Sequence, residues 1–261
     1  MNEAVVFHQG EEEDTAMIMR ILHAAMLDSN CYILGDRGEA AVIDPGADHN
    51  DIEKVLDEHG LTLKYIILTH AHIDHVLEAD ELRRSRGGKF VMHRNDEVLL
   101  KDPLLNCSML FGMDKVFGDA DIYVLDGDTL ELGNSRLHII HTPGHTPGGI
   151  CILLKDDQCD CERPDRAKDQ GSGNSTYYAG ANTYVKNQDR NAESVIAGNC
   201  IFTGDTLFRL GAGRTDLGCG DSEQLIASLK RLMELDDDVM VYPGHGPATD
   251  IGYERRYNPW L

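Results

Sequence analysis

Long apolar runs are missing from this chain of 261 residues. None approaches the ~20 residues that a membrane span needs, which excludes a helical membrane anchor. Positive charge is scarce: 24 Lys and Arg stand against 45 Asp and Glu, a formal charge of −21. A field of that sign repels phosphate backbones and anionic lipid headgroups, so neither nucleic acid nor a membrane surface is an expected partner. No export signal is expected either. Residues 1–16 carry an acidic cluster where a signal peptide needs a basic flank and an apolar stretch, and the expected address is the cytosol. A disulfide framework is the fourth absence. The seven cysteines, at 31, 107, 151, 159, 161, 200 and 219, are odd in number and sit mostly inside apolar runs, as reduced buried thiols do. Cys159 and Cys161 form a CxC with no second Cys or His cluster nearby, and are read as loop thiols.

What is present is a core. Hydrophobic residues make up 41% and charged residues 26%, a globular balance. Short apolar runs bounded by turn signals predict strands at 16–22, 30–34, 40–44, 64–69, 89–92, 121–125, 129–132, 136–141, 149–154, 200–203 and 239–242. Amphipathic stretches predict helices at 50–59, 74–86, 95–101 and 222–235, the last with Asp221 as N-cap. Strands dominate and helices are interleaved, so the expected fold is α/β (α+β), two packed sheets with helices outside. A single domain is expected over 16–261, with 1–15 as an N-terminal extension or first strand. Residues 155–199 are polar, Gly-, Asn- and Asp-rich and without periodicity until their last few residues, and are read as an insertion between core strands. Its tyrosines, Tyr177, Tyr178 and Tyr184, are read as a small hairpin rather than a cover over the site.

The chemistry concentrates in THAHIDH. The apolar run KYIIL ends abruptly in His70, His72, Asp74 and His75. A single histidine is ordinarily structural, but four ligand-type side chains at the end of a buried strand would be costly without a cation. Alternation puts His70 and His72 on one side of the extended chain and Ala71 on the other. Three later positions repeat the pattern of strand, rigid Gly or Pro turn, ligand-type residue: His145 in TPGHT, Asp205 in FTGDTLF, and His245 in YPGHGP.

These four motifs in this order resemble the metallo-β-lactamase superfamily, and especially its glyoxalase II-like thioester hydrolases. The resemblance spans nearly the whole chain apart from the insertion. It implies a four-layer αβ/βα sandwich with a two-metal site at one edge. His70, His72 and His145 would hold the first metal, Asp74, His75 and His245 the second, and Asp205 would bridge them. Ala71 stands where many glyoxalase II enzymes have a non-ligating histidine. Only 16 residues follow His245, so the C-terminal helical domain that grips glutathione in the long-form enzymes is not expected.

Imidazole and carboxylate ligands without cysteine suit two divalent ions, zinc first, with iron or manganese as alternatives. Two cations ~3.5–4 Å apart would share a water and bring its pKa towards neutrality. The expected reaction is attack of that bridging hydroxide on a small, hydroxyacylglutathione-like thioester, whose thiolate leaves without an obvious general acid. Asp74 and Asp205 are the expected catalytic carboxylates. Arg209 and Arg214, on a Gly-rich loop just after Asp205, are candidates for a substrate carboxylate, although Arg214 is as readily a brace for its loop through Asp216. His141 is read as structural. The alternatives are a persulfide dioxygenase using one iron, or a hydrolase of another small ester or lactone. A secreted β-lactamase is disfavoured by Asp205, where many such enzymes have cysteine, and an RNA-cleaving relative by the charge. The sequence specifies no oligomeric state.

Overall fold

The computed structural model describes residues 17–155, 183–185, 193–196 and 199–261. In chain order the strands are β1 (Ile18–His23), β2 (Asn30–Asp36), β3 (Glu39–Ile43), β4 (Thr62–Ile67), β5 (Lys89–His93), β6 (Ile122–Val124), β7 (Thr129–Leu132), β8 (Ser135–His141), β9 (Ile150–Leu154), β10 (Thr183–Val185), β11 (Glu193–Ile196), β12 (Cys200–Gly204), β13 (Leu207–Phe208), β14 (Gly211–Ala212), β15 (Met240–Pro243) and β16 (Thr249–Asp250). The helices are α1 (His49–Glu58), α2 (Ile73–Val76), α3 (Ala79–Arg86), α4 (Glu97–Lys101), α5 (Ser222–Leu232) and α6 (Ile251–Tyr257). One mixed sheet runs β10-β11-β1-β2-β3-β4-β5-β6 and a second runs β16-β15-β12-β9-β8-β7, with β13 and β14 as a separate hairpin.

Burial on both faces explains why the strands read as continuous apolar runs. Along β2, Cys31 and Ile33 face one cluster with Ile52, Leu56 and Leu82 of α1 and α3. Tyr32 and Leu34 face another with Ile139, Ile152 and Phe202 of the second sheet. A third cluster joins the outer face of that sheet, through Ile201 and Val241, to Leu225, Leu229 and Leu232 of α5 and Ile251 of α6. The result is helix, sheet, sheet, helix: the four-layer αβ/βα sandwich. The expected N-cap holds, with Asp221 accepting from the backbone N–H groups of Glu223 and Gln224.

The helix expected over 74–86 is two helices, because the Glu78 N–H leaves the helical ladder and donates to the Pro45 carbonyl at 2.9 Å. Within 155–199, β10 and β11 pair with each other, and β11 pairs antiparallel with β1, extending the first sheet. Tyr184 lies in that hairpin, while Tyr177, Tyr178, Cys159 and Cys161 lie outside the described residues. The short α6 and the β13–β14 hairpin were not foreseen, being too short to show a period.

Candidate metal centre

The predicted ligands follow strand ends, five of them on turns and two, Asp74 and His75, in the short helix α2. His70 to His75 follow β4, Asp205 follows β12 and His245 follows β15, while His145 lies in the turn from β8 to β9. Carboxyl ends of strands at the edge of a sheet are where open α/β folds bind ligands.

The structure brings all seven residues together. Ligand atoms of His70, His72 and His145 lie within 4.8 Å of one another, as do those of Asp74, His75 and His245, and those of His70, His75 and Asp205. Within the first trio, His72 Nδ1 stands 3.0 Å from His145 Nε2. Within the second, Asp74 Oδ2 is 3.1 Å from His245 Nε2 and 3.4 Å from His75 Nε2. Asp205 lies between them: Oδ1 is 3.5 Å from His75 Nε2, and Oδ2 is 3.5 Å from His145 Nε2 and 3.6 Å from His245 Nε2. Asp74 and His75, neighbours in α2, both belong to the second trio, and His75 also lies beside His70 and Asp205. The close approach also explains Gly244, where a Cβ would run into the Asp205 carboxylate and the His75 ring.

The outward nitrogens fix the inward ones. His145 Nδ1 donates to the Arg214 carbonyl at 2.7 Å and His245 Nδ1 to the Leu27 carbonyl at 3.2 Å. A carbonyl only accepts, so each ring carries a proton on Nδ1, and in the neutral imidazole the lone pair is then on Nε2, towards the cluster. His75 Nδ1 lies 3.0 Å from Asp44 Oδ2. That carboxylate also accepts from the Thr69 hydroxyl at 2.7 Å and the Thr69 N–H at 2.7 Å, and the hydroxyl faces His70 Nδ1 at 3.2 Å. Asp44 was read only as the end of a strand, although it ends an apolar run just as Asp205 does.

The buried donor set carries its own signature of a cation. His70 Nε2 and Asp205 Oδ1 are buried without a hydrogen-bond partner among the described residues, and such atoms are rarely left so without cause. Burial, then the neighbouring His75, holds His70 well below the ordinary histidine range, and burial with His145 pushes His72 down to about 3. Both are therefore neutral lone-pair donors at neutral pH. Burial works against the charge of His75 as well, but Asp74, Asp205 and Asp44 around it raise it well above the usual value. Burial likewise opposes ionisation of Asp74, and its histidine neighbours overcome this and hold its pKa below the usual carboxylate range. Nitrogen and oxygen donors of this kind, in two adjoining trios with a carboxylate between, fit two borderline divalent ions.

The remaining expectations are placed as follows. The Arg214 guanidinium is held by Asp216, Nε to Oδ1 at 2.6 Å and NH2 to Oδ2 at 2.7 Å, so its side chain braces the loop while its carbonyl reaches His145. The exposed Arg209 lies over the Tyr253 ring at 5.5 Å. Neither guanidinium is brought onto the donor cluster by these contacts. His141 donates to the Pro147 carbonyl at 3.0 Å and stacks on His93 with ring centroids 4.0 Å apart. Sequence reading passed over Asn30 and Asp96, both buried beside the ligand loops; neither carries a local motif, because their partners are distant in sequence.

Residues 25–159 and 194–245 match the profile of the family described as the metallo-beta-lactamase superfamily. The hydroxyacylglutathione hydrolase GloC of Haemophilus influenzae is 31% identical over 94% of this chain and 98% of its own. Among solved structures, the B3 metallo-beta-lactamase BLEG-1 superposes with a TM-score of 0.73 at 28% identity, over 93% of this chain and 99% of that one. The protein TTHA1623, solved in a di-iron-bound form, gives 0.68 at 27% identity, over 92% and 99%. With its motifs, its four layers and its two trios of donors, this chain belongs to the metallo-beta-lactamase superfamily.

Proposed function

We propose that the protein is a two-metal hydrolase of small thioesters, of the hydroxyacylglutathione type. The observation that carries this reading is the pair of adjoining donor trios with Asp205 between them. His70, His72 and His145 would hold one ion, Asp74, His75 and His245 would hold the other, and Asp205 would contribute to both. The ions, when bound, lower the pKa of water and polarise the substrate carbonyl.

The protein's own groups do the rest. The Nδ1 bonds to Arg214, Leu27 and Asp44 keep three imidazoles in the ligating tautomer. Asp74, held ionised, accepts a hydrogen bond from the attacking water and orients it. Water oxygen bonds to the carbonyl carbon, the carbon–sulfur bond breaks, the thiolate leaves with the electron pair, and the protons released pass to solvent. No protonated acid is required of the site, which favours a thioester over an amide. The 31% identity to GloC supports the same substrate class. The chain reconstituted with zinc, iron or manganese should cleave a panel of thioesters, with released thiol measured directly. Hydrolysis of a β-lactam but no thioester would refute the reading, and one iron per chain with oxygen uptake would replace it with the dioxygenase.

A further inference from the structure

The first trio is assembled from two loops far apart in the chain. His70 and His72 ride on the turn after β4, whereas His145 arrives from the turn between β8 and β9. One fully buried carboxylate joins the two. Asp96 Oδ2 accepts from the Thr146 hydroxyl at 2.7 Å and the Ala71 N–H at 3.3 Å, and Oδ1 accepts from the Gly148 N–H at 2.5 Å. Ala71 separates His70 from His72, and Thr146 follows His145. Residue 148 has no room for a side chain, since a Cβ there would stand 2.7 Å from the Asp96 carboxylate carbon.

The His245 loop has a different clamp. Asn30, buried at the start of β2, donates from Nδ2 to the Pro243 carbonyl at 2.9 Å and the Gly246 carbonyl at 3.0 Å. Its backbone N–H donates to the Gly244 carbonyl at 2.7 Å. Three hydrogens of one residue thus reach three of the carbonyls in the four-residue turn that carries His245. Both clamps work by mandatory polarity: the partners of Asp96 include two N–H groups that can only donate, and those of Asn30 are carbonyls that can only accept. Among the described hydrogen bonds, none ties Asp96 to the His245 loop and none ties Asn30 to the first trio.

We infer that Asp96 and Asn30 are positioning residues, each setting one half of the metal centre independently of the other. This rests on the two-metal reading above, though not on any substrate. The test uses zinc affinity of the full chain, by competition with a chromogenic chelator. His245→Ala leaves the His70–His72–His145 half to be read alone, and His145→Ala leaves the Asp74–His75–His245 half.

In the His245→Ala background, Asp96→Asn should weaken zinc about 10- to 100-fold, the usual effect of losing a group that supports metal ligands. In the His145→Ala background the same change should stay within about twofold, as for independent sites. Asn30→Asp, which turns two donors into acceptors facing carbonyls, should give the reverse pattern. Each substitution is then the control for general loss of structure in the other. Should Asp96→Asn not fold, Thr146→Val removes one bond of the same clamp and should show the same selectivity, with Thr146→Ser restoring the parent affinity. Equal weakening in both backgrounds, or none in either, overturns the inference. A parent chain that takes up no zinc instead removes the two-metal reading beneath it, while two zinc ions bound without the selective pattern remove this inference alone.

Discussion

Asp44→Asn is the substitution whose consequence is most fully determined by geometry. In the parent, three hydrogens converge on one buried carboxylate: Thr69 N–H on Oδ1, and the Thr69 hydroxyl and His75 Nδ1 on Oδ2. An asparagine supplies one acceptor atom and two hydrogens. The Thr69 N–H can only donate, so the amide oxygen must face it, and the amide nitrogen then faces Thr69 Oγ1 and His75. To meet that nitrogen His75 must present a lone pair at Nδ1, which moves its proton to Nε2, the atom that faces Asp74 and His245. Thr69, now accepting, turns its own hydrogen towards His70 Nδ1, 3.2 Å away, and His70 Nε2 becomes protonated as well. A nearly isosteric change thus removes two ligating lone pairs. Zinc affinity should fall about 10- to 100-fold, or about 1.4–2.7 kcal/mol. Competition titration reads the loss, and nitrogen-15 NMR of the histidine rings reads the tautomers. Two zinc ions bound as tightly as in the parent, with His75 still protonated at Nδ1, would refute the reasoning.

Other predictions rest on single contacts. Asp205→Ala should remove most activity and lower the metal content while the fold persists, because the Asp205 carboxylate stands between the two trios; activity within a few-fold of the parent with both metals retained would contradict its assignment. Gly46→Ala should destabilise by about 3 kcal/mol or more, read by urea unfolding, since its Cβ would collide with the Asp74 backbone carbonyl. Burial, then His141, pushes His93 down to about 4 from its ordinary 6.5. The unfolded chain therefore binds the extra proton first, and the chelator-treated protein should lose stability as pH falls from 6.5 towards 4. His93→Asn, which keeps an acceptor for the Asn95 N–H, should flatten that part of the profile in thermal melts at several pH values.

The layers were legible because the central strands, such as β2, β9 and β12, are apolar on both faces, and His145, Asp205 and His245 because each follows a strand and a Gly or Pro turn. THAHIDH shows its density of ligand-type side chains within one peptide. What supports the ligands was not legible. Asn30 clamps a turn 213 residues away through Pro243, and Asp96 grips Gly148 at a separation of 52. Such partners are set by topology, which brings β2 near the turn after β15, and no local period marks them. The split of the helix over 74–86 has the same origin, since the Glu78 N–H leaves the helical ladder for the distant Pro45 carbonyl. A hairpin at Tyr184 was legible, but not its bounds or its pairing with β1, because two strands of three and four residues in a polar stretch leave little periodicity to read.

Anomalous diffraction at the zinc edge, on crystals of the zinc-loaded chain, tests the two-metal centre most directly. The account predicts two peaks about 3.5–4 Å apart, one against His70, His72 and His145, the other against Asp74, His75 and His245, with Asp205 between them. A single peak, or a second one away from His245, would contradict it.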